Sequence, residues 1–491
     1  MTNSAFDIDP YPGKPKILFI GHPHSTHTHS WIDLLTGSKF NIRLFGVPTG
    51  YPPPDWIIRT YVTVQQIPEG LAQERCQCLH PTPEEWARYN LEAHERNERI
   101  KLQARQLNKE LERRLRDLKK NPVYWLSALT RKGLNHINCV FGVPRLCQEP
   151  IEPRAFSQKW TRDPSLLAQI PPIIPPQPKA VSPEAWLAQI IQEWQPDVIH
   201  TLGLDHDQGG FFYHSVRKTF GLEKYGKWVL QLRGGSDLTL NRHDPEMSVR
   251  ISEILKECDQ IICDNTQNIV YAEKMGVPRD RFADIVPVPG SGGIDVASLS
   301  RSTNVAPSRR ERIILWPKAY NCPWSVALPV YASLKSAWES IQPCKIYMLA
   351  MTTDARMWFN ALPPNIRPHC HVRDRIPRQE VLSLMQQSRV LLAPSLVDGI
   401  PNTLYEAMAA GAFPIVSPLE TIASVVENER NVLFARNLYP DEIAEALKRA
   451  MNDDALVDAA AERNLELVKR IADREIIGPR VVLFYKDLAS S

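Results

Sequence analysis

Two carboxylates, Asp398 and Glu406, stand eight positions apart in the segment Leu391-Leu392-Ala393-Pro394-Ser395-Leu396-Val397-Asp398-Gly399-Ile400-Pro401-Asn402-Thr403-Leu404-Tyr405-Glu406-Ala407-Met408-Ala409-Ala410-Gly411. Ionised carboxylates accept hydrogen bonds from hydroxyls. The apolar run Val390 to Ala393 predicts a buried parallel strand. Ser395 to Pro401 is turn chemistry, with Gly399 free in its dihedrals and Pro401 suited to a first helical turn. A helix follows from Thr403, and Gly411 can end it. Such a helix start offers unpaired N–H groups and a positive dipole end, which suits phosphate. Helical side chains lean toward the N-terminus, so Glu406 points back at the turn, and Asn402 lies one turn earlier on its face. Eight helical positions span about 12 Å, near the separation of the two sugars in a nucleotide sugar. One acid would take hydroxyls of the transferred sugar and the other those of the ribose.

An acid, seven residues, then Glu406-Ala407-Met408-Ala409-Ala410-Gly411 is the string on which the chain resembles the GT-B retaining glycosyltransferases, glycosyltransferase family four. The resemblance runs from about Lys14 to His80 and from about Trp194 to Leu488. It implies an α/β fold of two doubly wound Rossmann-like domains facing across a cleft. Residues 1–300 would be the acceptor domain, with a helical and proline-rich insertion at 81–183. Residues 301–475 would be the donor domain, and 476–491 a tail crossing back to the first.

In that family the counterpart of Glu406 binds the ribose, and that of Asp398 lies near the donor sugar. Gly399, Ile400, Pro401, Asn402 and Thr403 then belong to the donor site. The family's first acid is most often Glu; Asp398 followed by Gly-x-Pro-Asn is a common variant. A basic residue after the first strand of the donor domain grips the diphosphate, and Lys318 in Trp316-Pro317-Lys318 fits. A second basic residue falls near Ser325 or Val326, neither of which is basic. Arg373 and Arg375 are candidates to compensate. A first-domain histidine often matters as well, and Leu202 occupies its place. The catalytic set is therefore read as Asp398, Lys318 and His200, with His206 and His27 as alternatives for the histidine.

Lys14 to Gly21 reads as a first strand, the loop His22 to Ser30 follows, and then a helix Trp31 to Leu35 and a strand Phe40 to Val47. In doubly wound folds ligands meet the carboxyl ends of strands, so His27 is a candidate on the acceptor side. The loop histidines lack metal-ligand spacing, and no metal is expected. Asp205-His206-Asp207 has an Asp-x-Asp pattern in the wrong context for a metal. Trp228 to Leu232 leads into Arg233-Gly234-Gly235-Ser236-Asp237, where Arg233 can meet an anionic acceptor group or phosphate and the glycines admit close backbone approach. Arg233 and Asp237 join His27 as acceptor-side candidates. Pro287 to Asp295 resembles the family's turn at the end of the first domain, with the hinge near 296–311.

The long charged segment Glu84 to Lys120 has a narrow apolar stripe, so it packs on one side only. With Val123 to Lys132 it reads as an inserted helix pair, or as a basic surface for peripheral membrane contact. Residues 149–183, with Ile170 to Pro178 at their centre of proline content, read as a proline-rich connector over the surface.

A chain of 491 residues has room for two or three cores, and a net charge of +3 gives no bulk pull toward nucleic acid. Nine scattered cysteines do not form a disulfide framework. Residues 1–15 read as no signal peptide, and no run approaches about 20 apolar residues. A cytoplasmic protein is expected, in reach of the inner membrane face. The expected activity is transfer of a sugar from a nucleotide diphosphate sugar to a carbohydrate or lipid-linked acceptor, such as a cell-envelope glycan, without a cofactor. The alternatives are a non-catalytic partner subunit, a nucleotide-sugar epimerase, or a phosphorylase, for which no cofactor lysine is found.

Overall fold

Strands that are covered on both faces must be apolar throughout, and the runs above pair side by side accordingly. The structure is a computed structural model that describes residues 8–23, 25–47, 58–63, 182–204, 209–300, 305–373 and 376–490. The first sheet contains β1 (Lys16–Gly21), β2 (Asn41–Gly46), β3 (Arg59–Val62), β4 (Val198–Leu202), β5 (Lys227–Leu232) and β6 (Gln260–Cys263). Its order is β3-β2-β1-β4-β5-β6, with every pair parallel. The second contains β7 (Ile313–Trp316), β8 (Lys345–Leu349), β9 (Cys370–Arg373), β10 (Val390–Ala393), β11 (Phe413–Val416) and β12 (Leu433–Phe434). It runs β12-β11-β10-β7-β8-β9, again parallel, which is the same order once strands are counted within the domain. Each is a doubly wound sheet with a switch point beside its first strand, where such folds bind ligands.

Each sheet has its own core. Trp186, Trp228 and Tyr213 fill the first; Trp316, Tyr331 and Trp338 fill the second. Boundaries are set by caps: Ser182 precedes helix Pro183–Trp194, and Asp244 precedes helix Pro245–Glu257, each accepting a backbone N–H of its helix. The first helix spans Thr26–Asp33 rather than starting at Trp31, because Ser25 caps it by accepting from His27 N–H. The periodicity reading placed that stretch in a loop and overlooked the cap. Of the expected insertion at 81–183, residues 81–181 lie outside the described residues, as do Asp205-His206-Asp207, Arg375 and hinge residues 301–304. Among the described residues no helix is long and apolar enough to cross a membrane, and the five cysteines are unpaired.

The last helix, Arg474–Ser490, returns to the first sheet. Arg474 Nη2 pairs with Asp33 Oδ2 at 2.9 Å, and Nη1 donates to Ser30 Oγ at 2.9 Å. The Tyr485 hydroxyl accepts from Trp31 Nε1 at 3.0 Å, which leaves its own proton for Nδ1 of His200. Removing that hydroxyl strands two buried polar groups. Tyr485→Phe should therefore lower stability by roughly 1–3 kcal/mol. Urea denaturation reads this directly, and an unchanged midpoint would show that the contact contributes nothing.

Candidate active site

β10 ends at Ala393, and the chain turns through Pro394–Pro401 into the helix Asn402–Ala409. Three polar side chains from the next connections hold that turn. Ser417 Oγ accepts Ser395 N–H at 3.0 Å, Asn437 Nδ2 donates to Pro394 O at 3.2 Å, and Thr421 Oγ1 donates to Asp398 O at 2.8 Å. The helix lies close to the sheet because its inner face is small: Ala407, Ala409 and Ala410 are buried with Leu404 and Met408. Gly411 closes it at φ +73°, as the turn requires. The motif read from sequence therefore stands as strand, turn and helix start.

Both acids carry a cation. Lys318, in the turn after β7, donates to Asp398 Oδ2 at 2.9 Å. Burial works against the Lys318 charge, but Asp398, Tyr320 and Cys322 together offset it and the pKa is raised. Glu406 is almost wholly buried and forms an ion pair with Arg378 Nη2. Burial raises the Glu406 pKa, and Arg378 opposes the rise. Thr403 Oγ1, at the helix start, is buried with no hydrogen-bond partner. An orphaned hydroxyl at a helix N-terminus is suited to a polar ligand.

The first domain meets this turn directly. A Cβ built on Gly235 would lie 2.6 Å from Val397 Cγ1 and 2.9 Å from Asp398 Cα; one on Gly399 would lie 2.6 Å from Asp264 Oδ2 and 2.9 Å from Gly234 Cα. The glycine pair predicted for close approach to a ligand thus approaches the turn Pro394–Pro401 of the other domain.

His27 sits in the first turn of its helix and retains solvent-exposed surface. Packing around its ring, then Arg233, Arg378 and Lys318 in that order, lowers its pKa to about 4, so it is neutral at neutral pH. Charges from both domains therefore act on this ring. Arg233 is only 9% exposed. Its Nε donates to Gln231 Oε1 at 2.8 Å, and its Nη2 has no partner. Burial lowers its pKa to about 10 against the pull of Asp237, Tyr485 and Asp264. A guanidinium this buried with donors left over is placed for an anion.

Other sequence candidates fall elsewhere. His200 is wholly buried beneath Tyr485, and burial together with Arg233 holds its pKa well below the ordinary value. The structure places it against the terminal helix, apart from Asp398 and Glu406. Asp237 is also fully buried; it accepts Arg233 N–H at 2.6 Å and Leu204 N–H at 3.3 Å, bracing the turn rather than reaching the cleft. Arg373 pairs with Glu380 at 3.3 Å, both partly exposed. Ser325 is buried and Val326 N–H donates to Asn437 Oδ1 at 3.0 Å, so no cation stands there. His206 lies outside the described residues.

Two site residues escaped the sequence reading. Asp264, just beyond β6, has Oδ1 accepting from Asn265 Nδ2 at 2.6 Å and Asn268 Nδ2 at 3.1 Å, and Oδ2 from Gly234 N–H at 3.3 Å. Burial raises its pKa to about 7, with Asp398 adding to the rise while those donors oppose it. Its place after a strand end was a usable signal. Arg378 was the other, and no spacing pointed to it.

These acids set a pH dependence of opposite signs. A ligand that needs ionised Glu406 would bind fully above that group's raised pKa and be lost as pH falls through it. Ionisation of Asp264 near neutrality adds negative charge beside Gly399 and would weaken binding of an anion there. Affinity for a nucleoside diphosphate should therefore fall on the acid side as Glu406 takes up its proton and again on the alkaline side as pH rises through about 7. Glu406→Gln should flatten the acid limb and Asp264→Asn the alkaline one; limbs that persist in both variants would assign the titrations elsewhere.

Residues 359–466 match the family model described as glycosyl transferases group 1. No curated protein matches the chain in sequence. Sucrose-phosphate synthase from Thermosynechococcus elongatus is similar in structure, with a TM-score of 0.57 at 14% identity over 97% of this chain and 100% of that one. A glycosyltransferase from Rickettsia africae ESF-5 is similar too, with a TM-score of 0.54 at 10% identity over 97% and 99%. At such identities the likeness is one of fold. The fold is GT-B, with two doubly wound domains facing across a cleft.

Proposed function

We propose that this protein transfers a sugar from a nucleotide diphosphate sugar to a carbohydrate or lipid-linked acceptor, with retention of anomeric configuration. The observation that carries the reading is the site built around helix Asn402–Ala409: Asp398 paired with Lys318 in the turn before it, orphaned Thr403 Oγ1 in its first turn and buried Glu406 in its second. The group 1 match over residues 359–466 covers this motif and supports a glycosyl donor.

In this reading Glu406 accepts the ribose hydroxyls, and Asp398 accepts hydroxyls of the transferred sugar. The diphosphate lies over Gly399–Thr403, where the helix dipole and Lys318 oppose its charge. Charge grows on the leaving diphosphate as the glycosidic bond breaks, so the same groups stabilise the transition state more than the ground state. A donor phosphate oxygen takes the acceptor proton. The acceptor enters from the first domain, past neutral His27 and Arg233. Contact of the Gly234-Gly235 turn with the donor turn excludes water and limits donor hydrolysis. No resident metal enters the scheme, and the setting is cytoplasmic.

The empty second basic position favours one rival, a non-catalytic partner subunit. Incubation with a panel of nucleotide sugars, with and without cell extract, separates the two. Release of free nucleotide and an α- or β-linkage matching the donor, read by proton NMR, supports transfer with retention. Inversion would reject retention, and nucleotide bound without turnover in any extract would favour the partner subunit.

A further inference from the structure

A diphosphate carries more negative charge than a single lysine neutralises, and an arginine can meet phosphate oxygens with two parallel hydrogen bonds. The second domain offers Lys318, while positions 325 and 326 hold serine and valine. Arg378 stands on the far side of the motif. It opens the helix Arg378–Gln387 behind Pro377, and its Nη2 pairs with Glu406 Oε1. The two partners are unequal: the Glu406 side chain is 4% exposed and that of Arg378 58%. The carboxylate is fixed by its surroundings, whereas the guanidinium is held on one side and open on the other. Arg378 also acts on the His27 ring together with Arg233 and Lys318, so its charge is already felt in the space between the domains.

We infer that Arg378 is the second diphosphate cation of this protein, supplied from a position remote in sequence. It covers Glu406 while the site is empty and turns to a donor phosphate when ribose hydroxyls take the carboxylate. The inference rests on the nucleotide-sugar reading above. The exchange keeps every charge partnered: Glu406 gives up one charged donor and gains hydroxyl donors, and the guanidinium gains phosphate oxygens that match its planar fork. A nucleoside without phosphates must displace Arg378 from Glu406 and offers it nothing in return. The empty-state pair therefore discriminates against nucleosides and couples ribose binding to phosphate binding.

The test is calorimetric titration of the full chain with UDP, GDP and ADP and with the corresponding nucleosides. Arg378→Ala should weaken the best-bound diphosphate by about tenfold or more. It should leave the affinity of the matching nucleoside unchanged or raise it, and Arg378→Lys should recover part of the loss. Unchanged or tighter diphosphate binding in Arg378→Ala overturns the inference. So does an equal loss for nucleoside and diphosphate, which would make Arg378 a prop for Glu406 alone. Failure of the underlying reading looks different: the wild-type protein would bind none of the diphosphates.

Discussion

Glu406→Ala should abolish donor binding at practical concentrations, lowering nucleoside diphosphate affinity by on the order of a hundredfold or more. Hydrogen bonds to a charged acceptor are worth about 1.5–3 kcal/mol each, and a ribose can make two. The carboxylate is also buried, so no water waits to replace it once removed. Little fold stability is at risk, since the Arg378 left behind is over half exposed and can be hydrated. Calorimetry with UDP, GDP and ADP, alongside a thermal melt, reads both effects. Retained affinity in a folded Glu406→Ala variant would remove the ribose role and with it the donor assignment. Glu406→Gln should fall between, keeping one acceptor oxygen without the charge.

Much of the second domain was legible because its signals are local. Val390–Ala393 is continuously apolar, Gly411 needs a positive φ, and Asp398 and Glu406 are fixed by the turn and helix between them. What was not legible depends on contacts between distant segments. His200 looked like a ligand-end histidine until a tyrosine 285 positions later proved to cover it. Asp237 looked like a cleft acid, but the backbone of its own turn consumes it. Strand β3, Arg59-Thr60-Tyr61-Val62, carries no apolar run, and the helix Pro183–Trp194 opens on a proline at the end of a proline-rich run, so periodicity marked neither. Arg378 reaches Glu406 across two separate helices, a pairing that no spacing rule encodes.

The donor turn and the first-domain turn meet through glycine, and that contact yields the other large effect. Gly235→Ala should cut kcat by on the order of a hundredfold while leaving nucleoside diphosphate affinity nearly unchanged. Misplacement of reacting groups by about 1 Å is enough for such a loss. The new methyl would lie 2.6 Å from Val397 Cγ1 and 2.9 Å from both Asp398 Cα and Asp398 N. A side chain can yield at that distance, but the backbone of Asp398 cannot, because Thr421 Oγ1 holds its carbonyl at 2.8 Å. The domains must therefore sit farther apart. Gly235 belongs to the first domain, so donor groups on the second stay intact and binding separates from turnover. Gly399→Ala lacks that separation, since it alters the donor turn itself. Adding Val397→Ala to Gly235→Ala removes the nearest clash and should restore part of kcat. Steady-state kinetics on both variants decides the matter: an unchanged kcat in Gly235→Ala would mean that this close contact between the domains plays no part in turnover.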